Sequence, residues 1–278
     1  MPSAASDLAL IVDAARAAGA IARARFGETV QIWSKGAAGP VTEVDLELDR
    51  LLEERLRGAR PDYGWLSEET LDTPDRLGRA RVFVVDPIDG TQAFIEGVAE
   101  FCISIGLVEN GRAIAGAVYN PLTEEMFAGG ETIPATLNGA PVRVSVRDKL
   151  EGAHLVGRRR FYSDPRWRVP WPPLTVSFRH SIAYRMALIA AGRFDGAVFA
   201  GFKNEWDIAA GCAIITAAGG LVTDPWGAPA PFNAPDPRAP GIVAAGPALH
   251  PEMIARTRIL PHPSHWAALQ TTPPKLET

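Results

Sequence analysis

Apolar residues near the start of the chain recur at the spacing of amphipathic helices. The first set lies at Leu8, Ile11, Ala15, Ala18 and Ile21, and the second at Leu46, Leu48, Leu51, Leu52 and Leu56. The first set predicts a helix that Ser6-Asp7 caps and that ends near Gly27. The second predicts a helix with Thr42 as its N-cap. We interpret both as packing helices against a hydrophobic core.

Continuous apolar runs rich in β-branched residues predict strands in the middle of the chain. Residues 82–85 form such a run, and their strand should end at Asp86, because the proline that follows has no N–H for a central strand. Residues 101–108 and 113–119 are two further runs. Asn110-Gly111 lies between them, and this dipeptide favours the tight turn of a β-hairpin.

The second half of the chain continues with strand and helix patterns. Strands are predicted at residues 153–156, 195–199 and 242–245, and helices at 181–191, 205–218 and 249–258. Residues 161–173 hold four prolines and two tryptophans, which predicts a rigid irregular loop. We expect an N-terminal α+β domain over residues 1–148 and a C-terminal α/β domain over residues 149–278, with a frayed or irregular tail beyond Pro261.

Composition limits the class of protein. The chain has 278 residues, of which 47% are hydrophobic, and its net charge of −4 gives no general attraction to nucleic acid or an anionic membrane. Its two cysteines, Cys102 and Cys212, lie in apolar runs, which indicates buried thiols in a reducing compartment. The N-terminus lacks the basic segment of a signal peptide, and the longest apolar stretch falls short of the ~20 residues that a membrane span requires. We therefore expect a cytoplasmic protein without a membrane or nucleic-acid partner.

The segment Asp86-Pro87-Ile88-Asp89-Gly90-Thr91 places two carboxylates where the predicted central strand gives way to a turn. The N–H groups of Gly90 and Thr91 offer an anion-binding position of the kind found at turns and helix N-termini. Carboxylates beside such a position repel the anion unless a cation lies between them, and hard oxygen ligands favour Mg²⁺. The alternative is a surface turn built from ordinary turn-forming residues.

Three other acids lie beside a predicted strand end or helix start. Glu68 follows a short apolar run, and Asp45 and Asp207 fall in the first turns of predicted helices. Each has an ordinary local explanation, because acids are common on loops and the helix dipole favours a carboxylate in the first turn. Glu68 and Asp207 could instead converge with the two acids of the central segment at one edge of a sheet. There they would repel one another strongly without cations.

Three acidic segments together resemble the motifs of a known enzyme family: Ser67-Glu68-Glu69-Thr70, Asp86-Pro87-Ile88-Asp89-Gly90-Thr91 and Trp206-Asp207-Ile208-Ala209-Ala210-Gly211. In order and spacing they are similar to those of the inositol monophosphatase superfamily, over about residues 7 to 258. Lys35 and residues 41–45 resemble the lysine loop of that family and the acid that follows it. The resemblance implies a five-layer αβαβα sandwich of the α/β (α+β) class. It also implies Mg²⁺-dependent phosphatase activity that lithium often inhibits, and usually a dimer.

The resemblance further implies a set of metal ligands. Glu68, Asp86 and the backbone carbonyl of Ile88 would bind a first Mg²⁺. Asp86, Asp89 and Asp207 would bind a second, and a third, weaker ion would lie against Glu68. Two such ions about 4 Å apart could activate a water molecule and neutralise the leaving alkoxide.

The catalytic and substrate-binding residues are implied in the same way. Thr91, hydrogen-bonded to Asp45, would help to orient and deprotonate the attacking water, and Glu68 would contribute through its metal ions. The N–H groups of Gly90 and Thr91 would hold the phosphate, and Asp207 would also contact the substrate. The expected partner is a small phosphorylated metabolite, and the expected assembly is a homodimer.

Substrate choice rests on weaker signals. The family includes inositol monophosphatases, 3′(2′),5′-bisphosphate nucleotidases, histidinol-phosphate phosphatases and fructose-1,6-bisphosphatases. Inositol-specific members carry an acid shortly before the Trp-Asp pair, where this chain has Phe199-Ala200-Gly201. Residues 180–185 resemble the nucleotidase branch, and Arg185 is expected to bind a second phosphate. Arg158-Arg159-Arg160 could also bind it, or could be a solvated basic loop. We therefore favour a nucleotidase acting on 3′-phosphoadenosine 5′-phosphate, with the other three activities as alternatives.

Two interpretations from other classes are weaker. A non-catalytic metal-binding scaffold is disfavoured because every expected ligand and Thr91 are present. A nucleic-acid-binding module would depend on Arg158-Arg159-Arg160 alone, and the net acidity of the chain argues against it.

Overall fold

The computed structural model describes residues 2–36 and 39–261. This part of the chain forms two main β-sheets, with helices between them and on their outer faces. The tail beyond Pro261, predicted to be frayed or irregular, lies outside the described residues. Within the described ranges, no helix combines the length and apolar character needed to cross a membrane.

The helices are α1 (Ala4–Arg25), α2 (Glu43–Ala59), α3 (Thr91–Ile95), α4 (Arg159–Tyr162), α5 (Ile182–Ala190), α6 (Glu205–Ala217) and α7 (His250–Thr257). A 3₁₀ turn spans Pro74–Gly78. The first strands are β1 (Ile32–Ser34), β2 (Pro40–Thr42), β3 (Gly64–Ser67), β4 (Arg81–Asp89), β5 (Cys102–Glu109), β6 (Arg112–Asn120) and β7 (Glu125–Gly130). The remaining strands are β8 (Ile133–Leu137), β9 (Ala140–Pro141), β10 (His154–Val156), β11 (Thr175–Ser177), β12 (Gly196–Asn204), β13 (Leu221–Thr223) and β14 (Arg238–Ala245).

The first sheet has seven strands in the order β3-β4-β5-β6-β7-β8-β9. β3 pairs with β4 in parallel, and every later pair is antiparallel. The predicted hairpin is confirmed, since β5 and β6 are joined at Asn110-Gly111, which have φ angles of 49° and 79°. Asparagine and glycine tolerate this left-handed backbone better than other residues, so the dipeptide sets the register of the sheet's centre.

The second sheet has five strands in the order β11-β10-β12-β14-β13. β10 pairs in parallel with β11 and β12, whereas β14 is antiparallel to β12 and β13. The strand predicted at residues 195–199 runs on to Asn204, because its pairing with β14 slips between Ala200 and Lys203 and then resumes. Gly201, with φ 74°, permits this irregular turn of the backbone.

Five layers result from the packing of the helices. α1 and α2 cover the outer face of the first sheet, α5 and α6 lie between the two sheets, and α7 packs against β14 of the second sheet. Three clusters of buried apolar side chains fill the spaces between these layers. This arrangement confirms the predicted αβαβα sandwich of the α/β class.

Helix α6 approaches the first sheet unusually closely. A Cβ atom on Gly116 would lie 2.6 Å from the Cα of Ala210, and one on Gly106 would lie 2.7 Å from the Cβ of Ala209. Because the strands have glycines and the helix has alanines at this contact, the backbones of α6 and the sheet can pack directly against each other. Since α6 carries Asp207 in its first turn, this contact fixes that carboxylate relative to the sheet.

Two predicted helix and loop boundaries needed correction, and one cap is confirmed. α1 begins at Ala4 with Ser3 as its N-cap, because the hydroxyl of Ser3 accepts the N–H of Ser6. Thr42 caps α2 as predicted, in a capping box with Asp45. The first two residues of the predicted loop 161–173 belong to the short helix α4.

The two sheets divide the chain between β9 and β10. The predicted domain boundary at residues 148 and 149 falls in that connecting segment. α5 and α6 share one hydrophobic cluster with strands of both sheets, however, so the halves pack against a common core. We keep the two-domain division as a proposal about how the chain is organised.

Candidate active site

The central strand β4 continues through the position where the sequence predicts its end. Asp86 and Asp89 lie opposite Ser104 and Cys102, so three steps along β4 match two along β5. This β-bulge accommodates Pro87, which has no N–H to offer the ladder. The prediction that the strand stops at Asp86 was therefore wrong. The strand bends there, and one buried element carries both acids.

Glu68 and Glu69 come directly after β3, the parallel neighbour of β4. The loop between β1 and β2 brings Lys35 to both, with Nζ 2.7 Å from Glu68 Oε1 and 2.9 Å from Glu69 Oε1. Burial raises the pKa of Glu69 to about 7, against the opposing hydrogen bond from Lys35. The ammonium group of Lys35 therefore partly neutralises Glu68 and Glu69.

Asp207 reaches the site from the first turn of α6, where the helix dipole favours a carboxylate. The start of this helix is fixed by Glu205, which is 1% exposed. Its carboxylate accepts hydrogen bonds from the backbone N–H groups of Asn233 at 2.7 Å and Ala234 at 3.1 Å. A buried acid that binds backbone in this way positions its neighbour Asp207 without joining the site.

Three of the predicted metal ligands converge. Carboxylate oxygens of Glu68, Asp86 and Asp207 lie within 4.8 Å of one another. Burial raises the pKa of Asp86 and of Asp207, and the negative charges of Glu68 and Asp89 raise both further. Like charges at this spacing with little solvent are unfavourable, and a bound cation would remove that cost.

Asp89 lies beside this group and has partners of its own. Its Oδ2 accepts a hydrogen bond from Ser181 Oγ at 2.7 Å and another from the N–H of Ala183, at the start of α5. Burial raises the pKa of Asp89 to about 6 despite these bonds. Asp89 lies on the same strand as Asp86, three residues on, and its charge raises the pKa of Asp86 and of Asp207. The sequence predicted Ser181 only as the start of a helix. Its position as the N-cap of α5 is what places its hydroxyl against Asp89.

Thr91 contacts Asp45 as the resemblance implies. Its Oγ1 lies 3.0 Å from Asp45 Oδ1 and 3.1 Å from the carbonyl oxygen of Ile88. Asp45 also accepts the N–H of Thr42 at 2.8 Å. Burial raises the pKa of Asp45. A buried carboxylate with a raised pKa accepts a proton more readily than an exposed one, so the pair is suited to proton transfer.

Gly90 forms the N-cap of the short helix α3, with φ 103°. A Cβ atom there would lie 3.1 Å from the carbonyl oxygen of Glu100, so both the backbone conformation and the space require glycine. The N–H groups at the start of a helix have no partner within the helix. Gly90 and Thr91 therefore remain the expected phosphate-binding position.

Asp49 is a site residue that sequence reasoning missed. It accepts hydrogen bonds from Ser67 Oγ and Thr70 Oγ1, each at 2.5 Å, and so holds both ends of the segment that contains Glu68. It follows Asp45 by one helical turn and is buried like it. Two acids at this spacing on the apolar face of a helix are the signal that could have identified it.

Arg185 makes several contacts within the protein. Its Nε donates to the carbonyl of Arg179, its Nη2 donates to the carbonyl of His180 at 2.9 Å, and its guanidinium lies 4.8 Å from the ring centroid of Phe178. These contacts fix the segment that leads into α5. Two of its five N–H donors are thus used within the protein, and the expectation that Arg185 binds a second phosphate stays a prediction.

The acidic group fits a hard divalent cation such as Mg²⁺. Within the described ranges, the side chains in mutual reach are carboxylates, and neither histidine nor cysteine joins them. Oxygen ligands of this kind suit Mg²⁺ better than zinc or copper. Glu68, Asp86 and Asp207 would hold the ion or ions, and Asp89 and the carbonyl of Ile88 lie on the same bulge.

Comparison with known proteins agrees with this geometry. A family model described as the inositol monophosphatase family matches residues 4–261. An inositol-1-monophosphatase of Rhizobium meliloti is 34% identical, over 82% of this chain and 88% of the relative. The Nus factor SuhB of Xylella fastidiosa is 33% identical, over 80% of this chain and 83% of the relative.

Solved structures lead to the same family. The extragenic suppressor protein suhB of Bartonella henselae superimposes with a TM-score of 0.78 at 28% identity, covering 91% of this chain and 98% of that protein. An IMPase of Thermotoga maritima superimposes with a TM-score of 0.76 at 29% identity, covering 88% and 94%. The chain therefore belongs to the inositol monophosphatase family, whose members are phosphatases.

Proposed function

We propose that this protein is a Mg²⁺-dependent phosphomonoesterase that releases phosphate from a small phosphorylated metabolite. The observation that carries the proposal is the convergence of Glu68, Asp86 and Asp207 within 4.8 Å. A phosphoryl group carries negative oxygens, so it can approach these acids only with cations in place. When bound, Mg²⁺ supplies charge stabilisation for the phosphoryl oxygens and lowers the pKa of a coordinated water.

Thr91 and Asp45 would move the proton of the attacking water. When Thr91 Oγ1 donates to Asp45 Oδ1, a lone pair on Oγ1 is left to accept a hydrogen bond from that water. As the water attacks, Oγ1 takes its proton and passes its own to Asp45. The N–H of Thr42 keeps Asp45 oriented for this transfer.

A phosphate-release assay tests the proposal. The full chain should release phosphate from one or more of inositol 1-phosphate, 3′-phosphoadenosine 5′-phosphate, histidinol phosphate and fructose 1,6-bisphosphate when Mg²⁺ is present. Chelation with EDTA should stop turnover, and added Mg²⁺ should restore it. Turnover that persists in EDTA, or no turnover of any of the four, would contradict the proposal.

Two substrate classes have separate support. Relatives named inositol monophosphatases favour an inositol phosphate. The chain lacks an acid at Phe199-Ala200-Gly201, however, and Lys203 places an ammonium there instead. Its Nζ donates to the carbonyls of Ala200 at 2.8 Å, Gly201 at 3.2 Å and Phe202 at 2.9 Å. All three N–H donors of Lys203 are thus bound by backbone carbonyls. The missing acid, together with the resemblance of residues 180–185 to the nucleotidase branch, supports 3′-phosphoadenosine 5′-phosphate as the second candidate substrate.

The resemblance supports three further expectations. We propose that Li⁺ inhibits the enzyme uncompetitively, because a small hard cation would replace Mg²⁺ near Asp207 after cleavage and retain the phosphate. Steady-state kinetics with Li⁺ test this, and purely competitive inhibition would contradict it. We also propose a homodimer, to be measured by light scattering, and a cytoplasmic location, to be tested by fractionation of cells.

A further inference from the structure

A buried arginine outside the acidic site links the two halves of the chain. Arg76 lies in the 3₁₀ turn between β3 and β4, and it is 2% exposed. Its Nη1 lies 2.7 Å from Asn233 Oδ1, and its Nη2 lies 2.9 Å from the carbonyl oxygen of Ala234. The side-chain amide of Asn233 donates in return to the carbonyl of Arg76 at 3.2 Å. These bonds join the segment after β3 to the segment before β14.

The same short segment of the second half holds the start of α6. The backbone N–H groups of Asn233 and Ala234 both donate to the carboxylate of Glu205. Glu205 is the first residue of α6 and stands two positions before Asp207. Arg76 therefore binds the hydrogen-bond acceptors of this segment, while Glu205 binds its donors.

Arg76 also holds the segment that follows Glu68. Its Nε and Nη2 donate to the two carboxylate oxygens of Asp72, at 2.6 Å and 2.8 Å, and Asp72 lies four residues after Glu68. A guanidinium that binds both oxygens of a carboxylate fixes its orientation as well as its position. Arg76 thus uses four of its five N–H donors within the protein.

Together these contacts form a continuous path between two of the proposed metal ligands. We name the path the Arg76 bridge, and it consists of Asp72, Arg76, Asn233, Ala234 and Glu205. One end leads along the chain to Glu68 and the other to Asp207, and oxygens of these two carboxylates lie within 4.8 Å of each other. The two negative charges repel until a cation binds. The bridge holds the two chain segments together against that repulsion.

The position of Glu68 in the first sheet gives the bridge its importance. Glu68 directly follows β3, which forms one edge of the sheet and pairs with β4. Asp49 ties the segment that contains Glu68 to α2, which belongs to the same half of the chain. The Arg76 bridge ties that segment to the other half, which carries Asp207. Ligands that are held in place before the metal arrives bind it more tightly.

We propose that Arg76 is a positioning residue for the metal site. By joining the segment after Glu68 to the start of α6, it holds Glu68 and Asp207 at the spacing that binds Mg²⁺. This assignment rests on the proposed Mg²⁺-dependent phosphatase function. Arg76 acts through Asp72 and Asn233 and not by contact with the ion. Its loss should therefore weaken metal binding, and turnover should recover when Mg²⁺ is saturating.

Calorimetric titration of the metal-free protein with Mg²⁺ tests this role. The test variants are Arg76→Met, which removes the guanidinium, and Asn233→Gly, which removes the amide but keeps the backbone N–H that binds Glu205. Asn233 has φ 56°, a conformation that glycine adopts readily. The matched control is Asn138→Gly, because Asn138 has φ 51° and its Oδ1 accepts the N–H of Met126 within the first sheet.

The expected change is in affinity for Mg²⁺. The Kd should rise about 10- to 100-fold in Arg76→Met and about threefold or more in Asn233→Gly, and it should stay unchanged in the control. The Mg²⁺ concentration that gives half-maximal phosphate release should rise in parallel. At saturating Mg²⁺, kcat should stay within about threefold of the wild-type value. A purely structural role would lower the melting temperature without changing either measure of Mg²⁺ binding.

The outcomes separate this proposal from the phosphatase proposal. An unchanged Kd in the folded test variants, or an equal rise in the control, would overturn the role of Arg76 while phosphate release by the wild-type protein stands. Weaker Mg²⁺ binding in the test variants alone would support it, even if the wild-type protein releases no phosphate and the phosphatase proposal fails. If Arg76→Met does not fold, Asn233→Gly decides. A wild-type protein that binds no Mg²⁺ would overturn both.

Discussion

Two buried groups of charged residues serve opposite purposes in this protein. At one end of the first sheet, the fully buried Asp7 binds Arg60 Nε at 2.7 Å, Arg81 Nη1 at 2.7 Å and the hydroxyl of Tyr63 at 2.9 Å. At the acidic site, Asp86 is almost as deeply buried, at 2% exposure, but its neighbours are other acids. We refer to the first group as the Asp7 cluster.

The difference lies in how each carboxylate is compensated. In the Asp7 cluster, two guanidinium groups and a hydroxyl satisfy one acid, so the charge ties α1 to β4. At the acidic site, the pKa of Asp86 is raised by burial and by Glu68, Asp89 and Asp207. A buried charge with partners contributes structure, whereas buried like charges without them indicate a ligand. Substitutions in the two groups should therefore have opposite effects on stability.

The largest expected effect is on turnover at the acidic site. Asp86→Asn keeps an oxygen that can accept the N–H of Ile88 but removes the charge. Phosphate release should fall by about a thousandfold or more, or ~4 kcal/mol of transition-state stabilisation. Without metal, the variant should nevertheless melt at a higher temperature than wild type, because one buried negative charge is gone. Asp236→Asn, at an exposed acid, is the control. More than a tenth of wild-type activity in the folded variant would refute the role of Asp86.

The same change in the Asp7 cluster should do the reverse. Asp7→Asn removes the buried negative charge that pairs with Arg60 and Arg81, and within the described ranges only Arg81 keeps another carboxylate partner, Glu109. The change should destabilise the fold by about 3 kcal/mol, with turnover per folded molecule preserved. Chemical denaturation measures this. Asp13→Asn on the same helix removes only an exposed ion pair with Arg55, and should cost under ~1 kcal/mol. If the two substitutions lower the free energy of unfolding equally, the buried ion pairs of Asp7 contribute no more than the exposed pair of Asp13.

Thr91 tests whether the acidic site includes a proton-transfer pair. Thr91→Val removes the hydroxyl that contacts Asp45, and turnover should fall about a hundredfold, or ~2.7 kcal/mol. Thr91→Ser keeps the hydroxyl and should retain most of the activity. The pH profile of kcat provides a second measurement. If serine reduces turnover as much as valine does, the hydroxyl alone does not account for the role of Thr91.

The smallest expected effect concerns pH. Burial raises the pKa of Asp89 from 3.8 to about 6 and that of Glu69 from 4.5 to about 7. A carboxyl whose pKa is higher in the folded state binds protons preferentially there, so metal-free protein should gain stability as pH falls from about 7 toward about 4. The net gain should be on the order of 1 kcal/mol, since ion-paired carboxylates elsewhere lose stability over the same range. Melting temperatures with EDTA measure it, and saturating Mg²⁺ should reverse the trend. A flat profile in EDTA would mean that the acids are already compensated.

Local patterns in the sequence determined much of the fold. Asn110-Gly111 set the hairpin, and Thr42 capped α2, because turns and caps depend on residues that are neighbours in the chain. Apolar spacing located most helices and strands, since one face of each must be buried. The acids also followed from sequence, because their motifs have specific residue types at fixed spacing. What they would bind came from the resemblance and not from spacing alone.

Tertiary structure decided what each charged group does. Ser181 lies 92 residues from the Asp89 that it binds, and Lys35 lies 33 residues from Glu68. No local pattern encodes such partners, because they arise only when separate elements pack together. The hydrogen bonds from Arg185 to the carbonyls of Arg179 and His180 could not be predicted from the sequence either, because they depend on the path of the segment before α5. Sequence supplied the charges, and packing determined which of them are satisfied by the protein and which require a ligand.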